Sequence, residues 1–163
     1  MATDPIKSVL TMLPYGFYSI GSRSGDELNL MVANWVTQIS FTPRLLAIGL
    51  QKKAHSHSLI STGRVLTLNL FLAEDAESIM PYTKSTVKNP DKMADASFTK
   101  APETGCPVPE GAAAFLECRV REILDIGGDH DIVVVEPVGG QVLKAAEAGE
   151  ILGLPDIGWS YAG

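Results

Sequence analysis

The chain has 163 residues, with 13 Lys and Arg against 19 Asp and Glu and a formal net charge of -6. With 45% hydrophobic and 20% charged residues, it has the composition of one folded domain over 1–163 with a sizeable core, not of a disordered chain. The acidic balance excludes a generic nucleic-acid or anionic-membrane binder, which needs positive charge to meet phosphates, but leaves room for one small anion met by a local basic patch.

The start, MATDPIKSVL, shows no cationic segment followed by a long apolar run, and the longest apolar runs fall far below the roughly 20 residues that cross a bilayer. A cytoplasmic protein is therefore expected. LPYGFYSIGS (13–22) and LNLMVANWV (28–36) read as a hairpin around the polar turn RSGDE, with Gly25 available for a positive φ. Pro43 belongs to a connection, because proline cannot donate to a ladder. LLAIGLQ (45–51) is a nearly unbroken apolar run, expected as a strand buried on both faces. SHSLISTG (56–63) predicts a short helix with Ser56 as N-cap and Gly63 as a left-handed C-cap.

VLTLNLF then alternates, with Val65, Thr67 and Asn69 on one face and Leu66, Leu68 and Leu70 on the other, the period of a half-buried strand. LAEDAESIM predicts a helix stopped at Met80 by Pro81. From 81 to 111 lysines, prolines and small residues dominate, and a long surface excursion is expected, of the kind that often covers a binding site. Strand character returns in FLECRVREIL, and GGDH turns the chain into DIVVVEPV (131–138). GGQVLKAAEAG predicts a separate final short strand, and ILGLPDIGWSYAG an irregular tail. With no βαβ rhythm, the expected fold is mainly β, a small antiparallel barrel with short inserted helices. Cys106 and Cys118 either pair or stay reduced; the sequence is unlike a disulfide scaffold, so a reducing interior is expected.

Several common catalytic signatures are missing: no GxxxxGK[ST], no GxSxG, no HExxH and no CxxC. Asp129 and Asp131 sit beside glycines, where aspartates commonly serve local hydrogen bonds. Two local features remain. In KKAHSHS (52–58), His55 and His57 could share a strand face and a metal, but no spacing supplies further ligands, so no metal is assigned. A solvated polar turn is the second reading. The third is an anion seat, in which Lys53, His55 and the Ser56 hydroxyl join unpaired N–H groups at a helix start. In VANWVTQIS (32–40), Trp35 is either a core aromatic flanked by strand-end polar residues or one border of a flat aromatic ligand.

As an ordered set, NLMVANWVTQISFTPRLLAIGLQKKAHSHSLISTGRVLTLNLF (29–71) and, more weakly, FLECRVREILDIGGDHDIVVVEPV resemble the flavin reductase-like, FMN-binding split-barrel family. The likeness is especially close to the reductase module of cyanobacterial diflavin flavoproteins. The resemblance implies an antiparallel split β-barrel that forms a homodimer with FMN near the interface. It implies an FMN-dependent flavin reductase using NADH or NADPH, serving a redox partner protein, or alternatively an FMN-binding electron carrier without NAD(P)H turnover. Carried over position by position, Ala33, Asn34, Trp35 and Val36 line the flavin ring, while Thr37, Gln38 and Ser40 sit toward the ribityl and phosphate side. Lys53, His55 and Ser56 hold the phosphate, Asn69 is a structural support, and His130 lies near the reacting centre. The chain departs from the family pattern at Arg44, where relatives often carry a second proline, and at Val65, where they carry an aromatic residue.

Overall fold

The computed structural model describes residues 3–162; Met1, Ala2 and Gly163, part of the expected 1–163 domain, lie outside the described residues. Strands β1 (Tyr18–Ser24) and β2 (Glu27–Ala33) form the expected hairpin, closed by Gly25 at φ +60° and Asp26. The first strand starts later than the apolar pattern suggests. Gly16 and Phe17 instead bond to the tail, the latter donating its N–H to the Leu152 carbonyl. After β3 (Val36–Phe41), Pro43 turns the chain into β4 (Arg44–Gln51). Helix α2 (His55–Gly63) follows a short α1 (Pro5–Leu10) in chain order and leads to β5 (Val65–Leu70). A short α3 (Lys92–Asp95) and the small ladder of β6 (Phe98–Lys100) with β7 (Pro107–Pro109) precede the long pair β8 (Ala114–Leu124) and β9 (His130–Val142).

Seven strands form one antiparallel sheet in the order β2-β1-β5-β8-β9-β4-β3. Its two edges, β2 and β3, are consecutive in the chain and joined only by Asn34 and Trp35. Three Cα steps span at most roughly 11 Å, so the sheet must curl until its edges meet. No ladder joins those edges among the described residues. This is a split β-barrel, as expected.

Ile20, Ile48, Leu50, Leu66, Leu68, Val133 and Val135 fill the barrel. A second cluster around Phe17, Phe71, Phe115 and Leu152 closes one end. Each such side chain, fully withdrawn from water, contributes about 1.5–3 kcal/mol.

Five local expectations are corrected. β4 is not buried on both faces: Leu46, Ile48 and Leu50 enter the core while Leu45, Ala47 and Gly49 stay half-buried on the other side. β5 is the reverse case. Thr67 and Asn69 are fully buried because β7 crosses their face, with Thr67 Oγ1 donating to the Pro107 carbonyl at 2.7 Å. Gly21 makes that crossing possible, since a Cβ there would stand 2.1 Å from the same carbonyl oxygen. In α2, Ala54 rather than Ser56 is the N-cap, and Arg64 rather than Gly63 takes the left-handed turn at φ +61°. Gly63 is needed for contact instead: a Cβ would lie 1.7 Å from the Arg23 carbonyl oxygen. Residues Ala73–Ser78 and Met80–Tyr82 form two 3₁₀ turns, and Pro81 lies inside the second, where a first-turn proline forfeits no bond. Finally, Gly139 and Gly140 do not separate two strands. β9 runs through them because β8 supplies ladder partners past a bulge, and both glycines lie close against β8.

The tail is irregular as expected, with Leu152 and Leu154 buried. Both cysteines are free and buried. Burial pushes the thiols up to about 11 for Cys106 and about 12 for Cys118. Among the described residues, no helix is long and apolar enough to cross a membrane.

Candidate functional site

The link that closes the barrel also carries the most unusual polar atoms. Trp35 lies between β2 and β3, its carbonyl accepting the Gly49 N–H at 2.8 Å. Its ring lies over Gly49, where a Cβ would stand 3.1 Å from the indole. Both Asn34 Nδ2 and Trp35 Nε1 are buried without a hydrogen-bond partner. Buried donors are normally paired, and each orphan costs about 1–3 kcal/mol.

A second polar centre forms at the start of α2. Ala54 provides no side-chain cap, and although the His57 N–H donates to the Ala54 carbonyl at 3.0 Å, the His55 and Ser56 N–H groups stay open. Ser56 is fully buried, and its Oγ accepts from Asn29 Nδ2 at 2.9 Å and from Ser22 Oγ at 3.2 Å. Its own hydroxyl proton is thus left to donate elsewhere. His55 Nε2 pairs with Glu27 at 2.7 Å, while Lys53 is exposed and makes no ion pair among the described residues. His57 turns away to the buried Asp131, at 2.6 Å. Lys52 pairs with Asp125 at 2.7 Å; this bond holds the ammonium above and the carboxyl below their usual ranges. His55 and His57 therefore lie on a helix rather than a strand, each taken by its own carboxylate. Among the described residues, no group of three or more His, Cys, Asp or Glu side chains is placed to hold a metal ion.

His130 opens β9 opposite Gln51. Its Nδ1 bonds Asp129 at 2.7 Å, which holds that carboxyl below the usual range, and its Nε2 lies 3.4 Å from the Tyr161 hydroxyl. The ring sits against Trp35, with centroids 4.7 Å apart, and Tyr161 lies 5.0 Å from the same indole.

These groups surround one cavity of about 1020 Å³. Of the residues singled out from sequence, Ala33, Asn34, Trp35, Lys53, His55, Ser56 and His130 line it. Val36, Thr37, Gln38 and Ser40 do not. They lie on the edge strand β3, with Thr37 and Gln38 exposed and the Gln38 amide donating to the Ser40 carbonyl at 3.2 Å. The opposite wall comes from Tyr82 to Val87 and Lys92, in the excursion expected from sequence but with no residue of it singled out, and from the tail residues Trp159 and Tyr161, which sequence reasoning missed. Asn29, also missed, carried a signal, being a polar residue inside an apolar strand.

Fold and cavity together define a split-barrel domain whose cavity has one end lined by aromatic rings and orphaned donors and the other by Lys53, His55 and Ser56 at the start of α2. The flavin reductase like domain matches residues 10–154, and the chain belongs to that family. An uncharacterised protein of Pyrococcus abyssi is 31% identical over 125 residues, covering 76% of this chain and 71% of its own length. Diflavin flavoprotein A 1 of Synechocystis is 30% identical over 131 residues, covering 80% of this chain. The aligned region spans only 22% of that relative, so the likeness is to one module of it. Among solved structures, the NADH:FAD oxidoreductase of Streptomyces globisporus C-1027, in complex with NAD and FAD fragments, superposes with a TM-score of 0.76 at 25% identity, covering 90% of this chain and 89% of that one.

Proposed function

We propose that this chain is a flavin reductase that binds FMN in the cavity and takes reducing equivalents from NADH or NADPH. The observation that carries the reading is the pair of orphaned donors, Asn34 Nδ2 and Trp35 Nε1, beside a cavity large enough for a tricyclic ring and its side chain. A flavin ring offers carbonyl oxygens and ring nitrogens as the missing acceptors. The Streptomyces neighbour, with its NAD and FAD fragments, supports a flavin and a nicotinamide as the two ligand classes.

Bound flavin supplies the hydride chemistry. The protein's residues bind and orient. Asn34 and Trp35 donate to the ring edge, and Ala33 lets the backbone approach it. Lys53, His55, the Ser56 hydroxyl and the open N–H groups of α2 hold the phosphate. His130, steered by Asp129, presents Nε2 to the cavity beside the ring and positions the nicotinamide. Val36, Thr37, Gln38 and Ser40 contribute across a homodimer seam formed at β3, where Ile39 and Phe41 are 51% and 86% exposed. The buried free thiols suit a reducing, cytoplasmic setting in which a redox partner protein takes the electrons.

Purified protein carrying a visible flavin band, and oxidising NADH or NADPH with added FMN, is the expected result. Protein that binds no added FMN overturns the reading. A second reading, an FMN electron carrier, draws on the tail: Tyr161 already covers Trp35 and His130 where a nicotinamide would stack. Tight FMN binding with no nicotinamide oxidation above a protein-free control would decide for it.

A further inference from the structure

The most deeply buried ion pair among the described residues joins α2 to β9. His57 Nε2 meets Asp131 Oδ2 at 2.6 Å, with side chains 19% and 9% exposed. His57 Nδ1 lies 3.4 Å from the Ser61 hydroxyl, but that hydroxyl commits its proton to the His57 carbonyl at 2.7 Å and turns a lone pair to the ring. Both ring nitrogens therefore face acceptors, and only the imidazolium has a donor for each. The other carboxylate oxygen, Asp131 Oδ1, is buried and has no hydrogen bond.

A cation stands close to that orphaned oxygen but is held elsewhere. Lys52 Nζ lies 3.8 Å from Asp131 Oδ1 while it donates to the exposed Asp125 at 2.7 Å. A shift of about 1 Å would bring it within hydrogen-bonding distance of Oδ1. The Lys52 backbone N–H donates to the Asp129 carbonyl at 3.0 Å, so this one residue clasps both ends of the turn between β8 and β9. Asp125 accepts the Gly127 N–H at 2.8 Å, and Gly127 sits at φ +85°. His130 follows that turn, and both it and Lys52 line the large cavity. The other charged groups around α2 and the turn are committed elsewhere or solvated. His55 pairs with Glu27, Asp129 with His130 and Arg121 with Glu136. Arg23 donates to the Gly25 and Thr104 carbonyls, and Lys53 and Arg64 are exposed.

We propose that His57, Asp131 and Lys52 form a proton-operated switch in the cavity wall. With a proton on His57, the imidazolium meets the charge of Asp131 and Lys52 stays on Asp125, which is the arrangement in the structure. Without it, Asp131 is a buried carboxylate whose partner carries no charge. Lys52 then crosses to Oδ1, because a buried charge left unpaired is costly. Asp125 is released, and with it the glycine turn that leads into His130. Falling pH locks this part of the wall and rising pH loosens it. The switch operates in the ligand-free protein, independently of the flavin reading.

The full-length, ligand-free chain is titrated with acid and base while NMR follows the His57 imidazole and the Gly127 amide, in the wild type and in His57→Gln, Lys52→Met and His130→Gln. In the wild type the Gly127 signal is expected to shift with the same midpoint as the His57 imidazole. That shift is expected to vanish in His57→Gln and to persist in His130→Gln. In Lys52→Met the imidazole should still titrate while Gly127 no longer follows it. No shift at Gly127 in the wild type, or a midpoint different from that of His57, overturns the proposal. So does a shift that survives in His57→Gln, and one lost in His130→Gln belongs instead to the neighbouring Asp129–His130 pair. Should His57→Gln fail to fold, Lys52→Met decides, because a Gly127 signal that still tracks His57 without the lysine ends the switch.

Discussion

The two walls of the cavity are built in different ways. One comprises the end of β2, the Asn34–Trp35 link and the start of α2, and its polar groups sit on or beside regular elements. The other comprises the 82–92 segment and the tail, whose backbone is irregular and whose placement depends on anchors outside the cavity. Glu117, 1% exposed on β8, accepts the N–H groups of Glu103 and Thr104 and the Thr104 hydroxyl, all on Oε2. The tail is pinned by Leu152 N–H on the Phe71 carbonyl at 2.8 Å and Leu154 N–H on the Tyr15 carbonyl at 3.0 Å. With one ladder-borne wall and one irregular wall, local opening should cost less free energy in the second than in the first.

Breaking the first wall should cost most. In Gly63→Ala the new methyl would overlap the Arg23 carbonyl, 1.7 Å away, and unseat α2 from β1. A loss of about 3 kcal/mol or more is expected in urea unfolding, with FMN and riboflavin binding lost together. Glu117→Ala tests the anchor of the 103–104 turn, which lies in the same 81–111 excursion as the 82–92 part of the second wall. The buried Thr104 N–H and the partly buried Glu103 N–H lose their acceptor, at a cost of about 1–3 kcal/mol. Hydrogen exchange should speed up at Thr104 before it does along β4, and uniform acceleration would show that the segment is not a separate unit.

Ser56→Ala separates ligand binding from support within the first wall. Its Oγ joins Ser22 and Asn29, so the ligand-free protein should soften as well. FMN affinity should still fall by about 1.5–3 kcal/mol more than riboflavin affinity. An equal fall for both ligands would reduce Ser56 to a buried knot.

The smallest effect at ordinary pH concerns the thiols, Cys118 in the barrel core and Cys106 just ahead of β7. Burial raises them from 9.0 to about 12 and about 11, so the folded chain keeps protons that the unfolded chain releases. Stability is therefore intact below pH ~9 and falls as pH rises toward those values. Tyr18 and Tyr82, also raised by burial, act in the same direction at higher pH. Between pH ~9 and ~11 the urea midpoint should fall with pH about equally in Cys118→Ala and Cys106→Ala, and less steeply than in the wild type, because each variant removes one retained proton; a slope unchanged from the wild type would contradict this.

Much of the first wall was legible because its signals are local. A polar pair interrupting an apolar strand marked Asn34 and Trp35, and clustered Lys, His and Ser marked the start of α2. The second wall left weaker marks. Lys92 lies in a lysine-rich stretch, and nothing in its neighbours separates a buried lysine from a solvated one. The tail aromatics read as irregular sequence, although Trp159 and Tyr161 reach Phe17 and Trp35 across the whole chain.

Alternation and turn residues along the chain were enough to specify an antiparallel β-barrel, the Gly25 hairpin and the candidate ring-binding link, because side-chain period and backbone freedom are properties of neighbouring residues. Which strand faces are covered, where α2 is capped, and which lysine is buried depended on β7, the 82–92 segment and the tail arriving from far along the chain. β5 shows the physical reason. Thr67 and Asn69 carry the polar half of a half-exposed pattern, yet they are buried, because the Pro107 carbonyl and the Ser19 hydroxyl meet them with hydrogen bonds in place of water.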